Sequence, residues 1–321
     1  MPVQRQREVQ VVVDAETGHR PTLPRGVAVS RCRGVAVASR GAQTSPVVPD
    51  QVAAADGRHM DLHSVGDGPG VVVVHGSAVS AADYRRLADA LAPRFTVHLY
   101  DRRGRGSRGP VEPTHGVASD VEDLRAVLRH TGARTVLAHS YGGLVALTGA
   151  PTLPIDRMAV YDAAVSIDGG FPSAYVEPFA RAAAADDFPR AMAVLGHGLG
   201  SVGALSRLPV PVLTVLAHGF AATAMGRAWR LMIPSAVAEA REVRAHDAPA
   251  NAYAGVTTDV LLATGGRSPA YFAPASAAIA RVLPRARHVV VPKADHNAIM
   301  GAAAPFVERF ARFFLNSDDV S

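Results

Sequence analysis

Six short apolar runs punctuate the chain after residue 70: "VVVVHG" at 71–76, "FTVHLYD" at 95–101, "RTVLAH" at 134–139, "MAVYD" at 158–162, "DVLLATGG" at 259–266 and "HVVVP" at 288–292. They are too short for helices, and most carry apolar residues at successive positions, as strands buried on both faces do. Between the first two, "SAADYRRLADALA" places Tyr84, Leu87, Ala88 and Leu91 on one helical face. "VASDVEDLRAVLRHTG" does the same with Val117, Val121, Leu124, Val127 and Leu128. Upstream, "QVAAADGRHMDLHSVGDG" reads as a β-hairpin turning at Asp56-Gly57. A final helix is expected from about Pro305 to Leu315. Strands alternating with amphipathic helices predict an α/β fold, a mostly parallel sheet flanked by helices.

The alternation stops at Asp162 and resumes near Asp259. The Ala-rich stretch between reads as helices at roughly 174–185, 188–198, 211–225, 226–232 and 235–246. A helical cap at 163–256, inserted into a core formed by 51–162 and 257–317, is therefore expected. Within it "LPVPVLTVLAHGFAATAM" runs 18 residues without a charged side chain, long enough to mimic a membrane span. Pro209, Pro211, His218 and Gly219 argue against a span, and a buried or substrate-covering helix is expected. Residues 1–50 hold seven arginines, several prolines and no sustained periodicity, and read as a disordered extension.

Composition narrows the class. With 48% hydrophobic and 19% charged residues over 321 positions, the chain is globular. The net charge of +5 does not imply a nucleic-acid partner: Lys293 is the only lysine, and the arginines are scattered without aromatic interleaving. Cys32 is the sole cysteine, which excludes an intramolecular disulfide and a thiolate metal cage. No stretch read as a helix carries an i, i+4 histidine pair around a carboxylate; His59 and His63 flank Asp61 but fall in the expected hairpin, so no metal is expected. The first residues carry acids where a signal peptide has its apolar core. A cytoplasmic protein, monomeric or homodimeric and without a membrane partner, is the expectation.

The chemistry centres on "RTVLAHSYGGLVAL". An apolar strand passes into a small, apolar helix start through Ala138-His139-Ser140-Tyr141-Gly142. Small residues two before and two after Ser140 allow a sharp turn that lifts one hydroxyl above a sheet. Ser39, Ser64, Ser107 and Ser201 also have glycine two residues on. None has a small residue two before it, and none joins a strand to a helix. "GRGSRG" at 104–109 fits the dinucleotide fingerprint but is followed by Pro110, Pro113 and Gly116 instead of a helix, so no cofactor is expected.

From about Val52 to Leu315 the chain resembles the α/β-hydrolase-fold serine hydrolases. "VVVVHGS", "YDRRGRG", "VLAHSYGG", "GGRSP" and "ADHNAI" occur in that family's order and at its spacings. The resemblance implies Ser140 as nucleophile and His296, in the loop after the last strand, as its base. It implies an oxyanion hole from the backbone N–H groups of Tyr141 and Ser77, with Ala78 a near alternative. The commonest position for the acid, three residues past Gly265, holds Ser268. Some members of the fold take the acid from the end of the sixth strand, which here is Asp162; Asp168 is the runner-up, and Asp295 is expected to face away. Phe171, Tyr175, Phe179, Phe188, Met192, Met225, Trp229 and Met232 give the cap apolar mass, either as substrate lining or as the cap's own core. The function implied is cleavage of an ester, lactone or thioester of a small, largely apolar molecule through an acyl-enzyme. The alternatives are a C–C cleaving, lyase or cyclase use of the same residues, or a silent small-molecule receptor.

Overall fold

A computed structural model of the chain describes residues 50–54, 56–106 and 115–316. The extension read at 1–50 lies almost wholly outside the described residues. β1 (Asp50–Ala53) and β2 (His59–Val65) form the expected hairpin. Gly57 turns it in the left-handed region, at φ 80°. β2 then pairs antiparallel with β4 (Thr96–Tyr100). The remaining strands are parallel: β3 (Gly70–Val74), β5 (Thr135–His139), β6 (Arg157–Tyr161), β7 (Asp259–Gly265) and β8 (Ala286–Val291). The sheet runs β1-β2-β4-β3-β5-β6-β7-β8.

The two-residue period of the strands divides the core. Val72, Val74, Val136, Ala138, Met158 and Val160 pack on one face. That face is covered by α2 (Val117–Thr131), α3 (Tyr141–Gly149) and α8 (Phe272–Val282). Val71, Val73, Leu137, Ala159 and Leu261 pack on the other, under α1 (Arg85–Leu91) and α10 (Ala304–Phe314). This is why the apolar runs do not alternate with polar residues. α9 is a single turn, Ala298–Gly301. α8 lies between β7 and β8, and its Phe272, Ala275 and Ile279 form the buried stripe.

Between β6 and β7 lie α4 (Val176–Ala184), α5 (Phe188–Leu199), α6 (Val210–Ala221) and α7 (Ala224–Ala245), with short 3-10 turns at Gly203–Arg207 and Ala250–Tyr253. They share a core that includes Val176, Phe179, Phe188, Ile233 and Val237. The helices expected at 226–232 and 235–246 are one 22-residue helix, with Pro234 inside it. Proline removes one backbone donor, yet buried Met232, Ile233, Ala236, Val237 and Ala240 hold a continuous face across it. The preceding helix ends at Ala221, not 225. Thr223 starts the new one by accepting from the Gly226 N–H at 3.0 Å. Among the described residues, no helix is long and apolar enough to cross a membrane.

Candidate active site

Ser140 sits where β5 becomes α3, at φ 53° and ψ −121°. A non-glycine residue held there stores roughly 1–3 kcal/mol of strain, and its surroundings fix it. Its N–H donates to Tyr161 O (3.0 Å), and its carbonyl accepts from the N–H groups of Gly143 and Ala164 (2.9 Å each). A Cβ on Gly142 would lie 2.2 Å from the Val74 carbonyl oxygen, so the turn closes only with glycine there.

β5 and β6 are parallel neighbours with His139 opposite Tyr161. The next residue on each strand, Ser140 and Asp162, therefore emerges at the same end of the sheet. Asp162 is fully buried. Its Oδ1 accepts from Gly265 N–H at 3.0 Å, and its Oδ2 from the Ser268 hydroxyl at 2.6 Å. His296, on the loop after β8, places Nδ1 3.1 Å from Asp162 Oδ2 and Nε2 3.2 Å from Ser140 Oγ. With Nδ1 donating to the carboxylate, Nε2 is left to accept the serine proton. The three residues singled out in the sequence thus meet. Asp168 and Asp295 are exposed, and Asp295 Oδ1 accepts from Asn297 N–H instead (3.0 Å).

His139, beside the serine, has a separate task. It can donate only from Nε2 to the carbonyl of His296 (2.9 Å), so its Nδ1 accepts from Tyr84 OH (2.5 Å), which in turn accepts from Gly76 N–H (3.2 Å). Burial, then the neighbouring His296, pushes its ring well below its usual pKa and keeps it neutral. The chain of bonds ties the His296 loop to the "HG" turn. Phe272 stacks on the His296 ring at 4.8 Å and 9°.

The "HG" turn has its own anchor. His75 Nδ1 donates to Gly76 O (2.9 Å) and its Nε2 accepts from Arg102 N–H (3.0 Å). Burial, with Arg102 and Arg105 nearby, holds His75 neutral as well. The fully buried Arg102 donates to His75 O, Gly76 O, Asp120 Oδ2 and Glu239 Oε1 at 2.8–3.1 Å. Glu239, on α7, also pairs with Arg105 at 2.7 Å. Burial would raise its carboxyl, but the two arginines outweigh burial and hold it at about 2. The sequence reading missed this cluster and the Ser268 contact, since each partner looks unremarkable in its own segment.

Above Ser140 lies a cavity of about 400 Å³, lined by Ser77, Ala78, Tyr141 and His296 below and largely by apolar side chains of the insertion. Phe171, Tyr175, Met192 and Trp229 line it. Phe179 and Phe188 belong instead to the insertion's core, Met225 is exposed, and Met232 faces a different pocket. The apolar residues thus divide between the cavity wall and the insertion's own core. No group of three or more His, Cys, Asp or Glu side chains among the described residues is placed to hold a metal ion.

Residues 71–309 match the alpha/beta hydrolase family. The chain belongs to that family. This alpha/beta hydrolase is 30% identical over 125 residues to the Magnesium-chelatase 30 kDa subunit of Rhodobacter capsulatus, a match covering 38% of the chain and 44% of that protein. It is 34% identical over 100 residues to a pimeloyl-[acyl-carrier protein] methyl ester esterase of Xanthomonas campestris pv. campestris, covering 30% and 36% respectively. The matched stretches thus span less than half the length of these relatives. Among solved structures, an alpha/beta hydrolase from Sphaerobacter thermophilus superposes with a TM-score of 0.68 at 28% identity, over 83% of this chain and 100% of that one. The enol-lactonase from Burkholderia xenovorans shares the fold, with a TM-score of 0.63 at 20% identity over 83% and 100%.

Proposed function

We propose that the protein is a cofactor-independent serine hydrolase that cleaves an ester, lactone or thioester of a small, largely apolar molecule. The observation that carries this reading is the Ser140–His296–Asp162 relay at the floor of an apolar cavity. In the proposed reaction His296 Nε2 takes the proton of Ser140 as Oγ attacks the acyl carbon. The imidazolium that forms is held by Asp162 through Nδ1–H. The backbone N–H groups of Tyr141 and Ser77 receive the oxyanion. His296 returns the proton to the leaving group, and water then repeats the sequence to release the acid.

Several features support the reading. Asp162 already accepts two other hydrogen bonds, which fixes its carboxylate in position before substrate arrives. Among the described residues, Glu239 is the only carboxylate lining the cavity, and it is committed to Arg102 and Arg105, so the cavity offers an acyl or alcohol group mainly apolar contact. The partial likeness to methyl ester esterases agrees with acyl transfer. The helical insertion serves as the cap that covers the serine. A fluorophosphonate probe tests the reading. The wild type is expected to label stoichiometrically and to hydrolyse acyl esters, with Ser140→Ala losing both while unfolding at the same midpoint. Retained labelling and turnover in Ser140→Ala would overturn it.

A further inference from the structure

Exposed apolar side chains are unevenly spread over the molecule. Of nine large ones among the described residues, seven fall between Val202 and Leu231. α6 carries three of them: Val212, Val215 and Leu216, exposed by 46, 71 and 53%. They stand at i, i+3 and i+4 and so share one face. Val210, Leu213, Ala217 and Phe220 form the opposite face, turned towards the rest of the insertion. α6 thus has two apolar faces, with Thr214 and the exposed His218 between them, and only one face is covered. An exposed apolar patch of this kind marks a contact with a protein or a membrane.

Charge indicates what covers the outer face. From Phe188 to Ala238 the chain has no Asp or Glu and four arginines, at 190, 207, 227 and 230. Arg230 pairs with Asp186. Arg207 and Arg227, exposed just before and just after α6, have no carboxylate partner among the described residues, although Arg227 donates to Ala222 O. A second copy docked face to face would set these arginines against their own kind, with no acid in the segment to meet them. The exposed stripe is also aliphatic, without the aromatic anchors typical of protein interfaces. An aliphatic stripe with a cation at either end suits an anionic lipid surface.

We propose that α6 docks the protein on the surface of a membrane containing anionic lipid. Its aliphatic stripe enters the acyl boundary, and Arg207 and Arg227 meet the headgroups. The expectation of no membrane partner rested on the prolines that rule out a span, but a helix lying in the interface needs no span. Leu199, Ser201 and Val202, in the segment leading into α6, line the cavity, and Val202 is 43% exposed. Docking by α6 therefore brings the edge of the cavity to the lipid, where an apolar acyl group is concentrated. That consequence rests on the hydrolase reading; the docking does not.

The test is co-sedimentation of the full chain, carrying Ser140→Ala to prevent turnover, with vesicles of phosphatidylcholine alone or mixed with phosphatidylglycerol. Binding to the mixed vesicles, weakened by salt, is expected. Val215→Asp/Leu216→Asp should lower it by about tenfold or more, and Arg207→Gln/Arg227→Gln by about tenfold. Unfolding midpoints should not move, because all four side chains are exposed. Absence of binding to the mixed vesicles overturns the proposal, as does equal binding by the Val215→Asp/Leu216→Asp variant. A stable dimer that this variant splits, seen by light scattering, gives the face to a second copy and overturns it too. Fluorophosphonate labelling of the chain with Ser140 intact reads the hydrolase proposal separately from all of these outcomes.

Discussion

Replacing Asp162 by asparagine preserves size and leaves an oxygen for the Gly265 N–H. It turns the second oxygen, which accepts from Ser268 and His296, into a donor. His296 then loses both its charge partner and its tautomer. Turnover of Asp162→Asn should fall by roughly 10²–10⁴ with little change in substrate affinity. Asp168→Asn and Asp295→Asn should cost less than about tenfold, because neither carboxylate reaches the relay. Steady-state kinetics on one ester substrate separates the three, and a mild Asp162→Asn would remove the acid from the proposed mechanism. Ser268→Ala takes away one hydrogen bond to a buried carboxylate, which predicts about a tenfold fall in kcat with KM nearly constant. Ser140 was legible locally, marked by the small residues that its turn requires. His296 and Asp162 were reached through the resemblance to the α/β-hydrolase fold, which points to the loop after the last strand and to the end of the strand beside the serine. Ser268 was read only as a missing acid. Its contact joins positions 106 residues apart, and no pattern within either segment encodes that.

The strands and the α1 and α2 faces were readable as elements because period and burial agree: Tyr84, Leu87, Ala88 and Leu91 are all fully buried. α7 was not, since Pro234 is a breaker by propensity and its helix survives through tertiary packing. Pro234→Ala should therefore restore a backbone donor at no packing cost and raise stability by roughly 1–3 kcal/mol, measured by urea unfolding. A fall would mean that the helix needs the bend proline gives it. The opposite result is expected about one and a half turns further along, at Glu239→Gln. That change leaves Arg102 and Arg105 buried without their shared counter-charge, and removing one partner of a buried pair costs roughly 3–5 kcal/mol.

At the scale of the whole molecule, the neutral histidines set the response to acid. Burial holds His75 and His139 well below the 6.5 of an unfolded chain. As pH falls below 6.5 the unfolded state takes up protons that the folded state refuses, so stability drops by up to about 1.4 kcal/mol per pH unit for each ring. His115, whose ring burial lowers to about 4, acts in the same direction. Asp120 opposes it: burial raises its carboxyl to about 6, so the folded state binds the extra proton between 3.8 and 6 and gains stability there. These two largely offset each other, leaving a net loss of stability from pH 7.5 to pH 5. Urea midpoints at the two values should show it, with a shallower slope for His139→Gln; a flat profile would mean that the buried rings are protonated in place. The Glu239 pairing also divides the insertion by compliance. The second half of α7 is bolted through Arg102 to the backbone carbonyls of His75 and Gly76, so it moves with the sheet. Widening of the cavity is therefore expected at the other wall, α5 and residues 201–207 ahead of α6. Amides around Glu239 should then exchange with solvent on the slow timescale of β5, while those of α6 exchange orders of magnitude sooner.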